Sequence, residues 1–126
     1  MKRLGILLLT LTLLAIWHWP LASMRGSLAA HIDVARGHYV VLAYGMPPIS
    51  RSEYSRLLKE KYGVEVHAVA GCIVSQSLVT YVNSYNRVVE EGAKRRFGHD
   101  IFSEEQREAN ASMRKLHPEY FKGSGV

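Results

Sequence analysis

The order of apolar and polar positions divides this chain into one long apolar run and a series of shorter, periodic segments. Behind Met1-Lys2-Arg3, residues Leu4 to Trp17 are interrupted only by Gly5, Thr10 and Thr12. Extended to Met24, the run reaches about 30 Å at 1.5 Å per residue, the thickness of a bilayer's hydrocarbon core. A charged start followed by such a run also describes a signal peptide, but Leu21-Ala22-Ser23 puts leucine where a signal peptidase takes a small residue. The pattern therefore predicts a membrane helix over residues 4–24, with Trp17 and Trp19 at its far interface. Lys2 and Arg3 keep the N-terminus cytoplasmic and send the rest of the chain to the outer side, as a single-pass protein of the cell envelope. Cleavage of segment 1–24 gives a secreted domain instead.

From Met24 to Gly37, Leu28, Ile32 and Ala35 share one helical face and Gly37 is a natural stop, which predicts a juxtamembrane helix or linker over 25–37. His38 to Tyr44 is rich in β-branched and aromatic residues and runs into Gly45-Met46-Pro47-Pro48, a strand with a hard end. Ser50 with Glu53 has the form of a capping box for a helix whose apolar face is Tyr54, Leu57, Leu58 and Tyr62, closed by Gly63. Val64 to Ala70 reads as a second strand, and a strand, a helix and a strand in this order form a βαβ unit with parallel strands. Further on, Leu78, Tyr81, Val82, Tyr85, Val88, Val89, Ala93 and Phe97 recur at intervals of three and four, an apolar stripe that needs a cover. Gly98 ends it. Ser103 with Gln106 predicts the cap of a last helix, Glu104 to Leu116, which Pro118 stops.

These elements predict an α/β fold: a small, helix-rich, βαβ-based domain over 38–117, preceded by the hydrophobic membrane helix and followed by a flexible tail at 118–126 that contains Gly123-Ser124-Gly125. Two parallel strands are too few for an independent sheet. Either a third strand lies in a segment read as helix or loop, or a partner supplies the cover.

Charge changes the picture less than its total suggests. Of a formal net charge of +5 over 126 residues, Lys2, Arg3 and Arg25 flank the apolar run. From Gly26 onward 13 Lys and Arg face 11 Asp and Glu, a surplus of two, and no basic stripe interleaved with aromatics argues for nucleic acid. Lys94-Arg95-Arg96 falls in the last turn of the long helix, where it complements the helix dipole. A single cysteine excludes an internal disulfide framework.

The candidate chemistry gathers where the second strand turns into the long helix. Cys72 is the candidate catalytic residue, because a thiolate is favoured at a helix N-terminus. The backbone N–H groups there, with Gly71, Ser75 and Ser77, could hold an anion. Cys72-Ile73-Val74-Ser75 has the spacing of a thiol-redox turn, and the order of elements is similar to one that thioredoxin-like domains show. Those folds need later strands and a proline facing the cysteine, and nothing after Gly98 reads as a strand. The plainer reading makes Cys72 a small packed hydrophobe and the serines caps. His18, His31, His38, His67, His99 and His117 show no metal spacing, and no cofactor is implied.

The function these features favour is a non-enzymatic protein–protein interaction module, docking a protein partner or a second copy through the sheet edge or the long helix. The alternative is a thiol-dependent redox or anion-binding protein centred on Cys72. Cys72→Ala separates them, since it spares the first activity and removes the second.

Overall fold

The apolar stripe of the longest periodic segment is buried, and what buries it is the N-terminal helix. In the computed structural model, which describes residues 2–121 and their side chains other than those of 2–4, 7 and 15–20, α3 runs Gln76–Phe97. Ser75 caps it by accepting from the Leu78 N–H at 3.2 Å, and Gly98 closes it at φ 82°, in the left-handed region that favours glycine. Helix α1, Lys2–Ala35, lies along it. Ala22, Gly26 and Ala30 recur every four residues on the face of α1 that meets α3, and Ala22 and Ala30 are buried. A Cβ on Gly26 would overlap the Tyr81 carbonyl, lying 3.1 Å from its carbon, so the two backbones approach as closely as glycine permits. The Ser23 and Ser84 hydroxyls hydrogen-bond at 2.7 Å, and the Tyr85 hydroxyl donates to Asp33 at 2.6 Å.

This packing goes with a correction. Among the described residues no helix is long and apolar enough to cross a membrane, which overturns the membrane anchor or signal peptide read over residues 4–24. The single-pass membrane placement drawn from it goes as well. The physical reason lies in the second half of α1, where the apolar run gives way to Ser23, Arg25 and a small-residue face committed to α3. The expected interfacial side chains of Trp17 and Trp19 lie outside the described residues, as does the tail from 122 to 126. Ile6, Leu8, Leu9, Leu11, Leu13 and Leu14 are exposed on α1.

Strand β1 (Val40–Ala43), helix α2 (Arg51–Tyr62) and strand β2 (Glu65–Ala68) follow. The strands pair in parallel, Val40 opposite Glu65 through Ala43 opposite Ala68, the arrangement that a helical crossover imposes. Among the described residues no third strand joins them. The α/β assignment is thereby corrected: the chain is helix-rich, 71% helical, and among the described residues its sheet has two strands. The strands are four residues each and half-buried at best, while of the large fully covered apolar side chains Leu58, Val82, Val89 and Ile101 come from helices and Val64 from the turn into β2. The core is a helix–helix core with a ribbon at its side.

Two caps also differ from expectation. Ser50 makes no side-chain cap to α2; its hydroxyl accepts from Gln106 at 3.2 Å, and Glu53 pairs with Arg56 at 2.7 Å. Helix α4 begins at Ile101, not Glu104, and runs to Leu116. Its cap is Asp100, which accepts from the Phe102 and Ser103 N–H groups, both at 3.1 Å, and from the Ser103 hydroxyl at 2.6 Å. An earlier start buries Ile101 completely. The thin apolar face of α4 is supplemented by an ion pair: Glu105, with no exposed surface, accepts from Lys61 of α2 through both oxygens at 3.0 and 3.1 Å.

Candidate functional site

The two edges of the ribbon are treated differently. In a parallel ladder the N–H and C=O of one residue point to the same side, and successive residues alternate. Asn86, on α3, uses this on the outer side of β1: its Oδ1 accepts from the Leu42 N–H at 2.9 Å and its Nδ2 donates to the Leu42 C=O at 2.8 Å. The carboxamide thus stands in for the neighbouring strand. It closes that edge.

Strand β2 has no such cover. Glu65 and Val69 donate their N–H groups inward, to the carbonyls of Tyr39 at 3.0 Å and Ala43 at 2.8 Å. Val66 and Ala68, offset by one residue, therefore point their N–H and C=O groups away from β1. Among the described residues no strand and no side chain hydrogen-bonds to them there. Ala68 is exposed and Val66 half-buried against the core. The result is a short row of unpaired backbone donors and acceptors, the feature to which an added strand pairs.

A cleft of about 430 Å³ opens at the start of the ribbon, lined by the Gly37–Val40 turn, Lys59, Gly63, Glu65 and His67. Glu65 is held from both ends: Lys59 donates to one oxygen, and the His67 imidazole lies 2.9 Å from the other. These hydrogen bonds, Lys59's first, keep the Glu65 carboxyl below its usual range. Gly37, with φ 77°, turns the chain into the cleft, and the Arg96 guanidinium stands beside it, 5.2 Å over the Tyr39 ring.

The residues singled out from sequence are placed as follows. Cys72 is a free, exposed thiol on a bend three positions ahead of the α3 cap, and Ile73 beside it is 95% exposed. The Gly71 carbonyl accepts from the Gly45 N–H at 3.0 Å, tying together the chain segments that leave the two strands. Ser75 and Ser77 line a cleft of about 340 Å³ with Arg25 and Tyr81, which Gly71 and Cys72 do not reach. There the Ser75 hydroxyl is taken by its own helix. Among the described residues no three His, Cys, Asp or Glu side chains come together as metal ligands. His67, His99 and His117 instead pair with Glu65, Glu104 and Glu119, at 2.9, 3.0 and 3.0 Å.

The sequence reading missed Asn86. Its position on α3, next to Tyr85 and within the turn that faces the core, is the signal that was available: a carboxamide there needs a partner for both its donor and its acceptor.

No family model matches this chain. No curated protein and no solved structure matches it either. The site is read from its own geometry.

Proposed function

We propose that this chain is a protein-binding module whose outer β2 edge receives an extended segment of a partner as a third strand. The observation that supports it is the asymmetry of the ribbon: Asn86 occupies the outer groups of Leu42, while those of Val66 and Ala68 have no partner among the described residues. A two-stranded parallel sheet gains most from one more strand, because each added hydrogen bond also covers a sheet too small to cover itself. The long helix, the other surface expected to bind, is engaged with α1, where Tyr81, Ser84, Tyr85 and Gly92 meet Gly26, Ser23, Asp33 and Val34.

Ala68→Pro tests this. Proline removes the outward N–H at 68 and leaves the inward donors of Glu65 and Val69 in place, and an edge strand accepts it. The partner that co-purifies with the native chain is lost from Ala68→Pro and kept by Ala68→Thr, with both variants folded by circular dichroism. Retention of the partner by a folded Ala68→Pro protein contradicts the proposal.

A further inference from the structure

We infer that the strand received at β2 is β2 of a second copy of this chain, paired antiparallel about a two-fold axis at His67; this rests on the edge-docking reading above and names its occupant. The groups to be satisfied on the outer edge are the N–H and C=O of Val66 and of Ala68. In an antiparallel pair, residues whose groups face each other exchange both bonds, and the residues between them point away. One register serves every outward group of both chains. It sets Val66 opposite the second copy's Ala68, Ala68 opposite the second copy's Val66, and His67 opposite the second copy's His67. A slip to either side breaks this: Ala68 then faces Val64, whose N–H is already given to Leu58 at 3.1 Å, or Val66 faces Ala70, beyond the end of the strand.

The side chains suit that register on both faces. Side chains alternate along a strand, so Val66 and Ala68 share one face and Glu65, His67 and Val69 the other. On the first face Val66 meets the second copy's Ala68, an apolar row that covers the exposed Ala68. On the second, Glu65 lies opposite the second copy's Val69, a valine 41% exposed in the single chain. Like charges directly opposite would oppose pairing. None arise here: both oxygens of Glu65 are engaged by its own Lys59 and His67, so each copy brings a balanced ion pair. Residues 65–68 also carry neither the lysine nor the proline that commonly guards an edge against pairing. The two-fold closes the assembly, because each copy spends its one open edge and Asn86 holds the outer groups of Leu42 at the far side. The ribbon becomes a sheet in the order β1, β2, β2, β1, past the three strands at which a sheet gains stability of its own. Pairing follows concentration by mass action, so the dilute free chain keeps Val66 and Ala68 open.

The test uses the full chain in a Cys72→Ser background, since the native thiol is exposed. Directly opposite residues of a non-hydrogen-bonded antiparallel pair have Cα atoms about 4.5 Å apart, within the roughly 4.4–6.8 Å that a disulfide spans. Residue 65 of one copy stands four positions from its own counterpart, about 13 Å along the strand. Under mild oxidation His67→Cys is therefore expected to form a disulfide between copies at least about tenfold faster than Glu65→Cys. In sedimentation the unmodified chain is expected to pass from monomer to dimer as its concentration rises, Ala68→Thr likewise, and a folded Ala68→Pro to remain a monomer. A chain that is monomeric at every concentration, or one whose His67→Cys variant crosslinks no faster than Glu65→Cys, overturns the second copy as occupant. Edge docking stands in that case if Ala68→Pro still loses another co-purifying partner. Retention of that partner by a folded Ala68→Pro protein overturns both.

Discussion

At the scale of single residues, three side chains hold positions that make sharp predictions. Asp100 caps α4 with three hydrogen bonds, and these, the Ser103 hydroxyl's first, hold its carboxyl below its ordinary value of 3.8. A depressed carboxyl contributes stability that is present above the ordinary pKa and is lost as pH falls through the lowered one. Asp100→Ala should therefore cost about 1 kcal/mol at neutral pH in chemical denaturation, the usual worth of a cap. Asp100→Asn, which can still cap, should keep most of the stability and remove this part of its decline in acid. Lys61→Met strands the buried Glu105 carboxylate. The expected loss is near the lower end of the roughly 3–5 kcal/mol typical of an orphaned buried charge, because Lys61 itself is 39% exposed and water can screen the site. Cys72 is exposed, so a thiol reagent should label the native protein without denaturant at a rate close to that of the unfolded chain; denaturant-dependent labelling would place the thiol in the core after all.

At the scale of elements, the small face of α1 decides how the helices meet. Gly26→Leu should lower stability by about 1–3 kcal/mol or more, the cost of forcing bulk into a packed interface, whereas Gly5→Ala, with nothing within 4 Å of its Cβ, should cause no loss. Thermal unfolding of the two variants side by side checks this. Element order was legible in the sequence because the signals are local: Gly63 and Gly98 at helix ends, Pro47 and Pro48 after β1, and the three- and four-residue recurrence from Leu78 to Phe97. The caps of α2 and α4 were not, because Ser50 and Ser103 have the right chemistry but find other partners. Ser50 is drawn to Gln106, 56 residues away, and Ser103 itself bonds to Asp100. Tyr39 and Tyr85 are core residues, Tyr85 with its hydroxyl pushed up by burial and by its bond to Asp33.

At the scale of the whole molecule, the ribbon of two strands is the feature that asks for explanation. The βαβ order and the helices around it were readable from spacing; that α1 packs on α3 was not, since nothing local in Ala22, Gly26 and Ala30 announces that they bury it. Asn86 gives the ribbon its direction. Removing it should expose a second edge, so Asn86→Ala is expected to lose stability by about 1–3 kcal/mol, the cost of unpaired buried backbone groups, and to self-associate more than the native chain in sedimentation. The candidate edge then follows from ladder geometry, from which neither Cys72 nor the serines before α3 could have been used to find it.

Amide hydrogen exchange at β2 tests the open edge most directly. In the free protein the inward-pointing amides of Glu65 and Val69 should be protected while those of Val66 and Ala68 exchange freely, and a bound strand should slow those two. Protection of Val66 and Ala68 in the free protein, or no change in them on binding, would contradict the account.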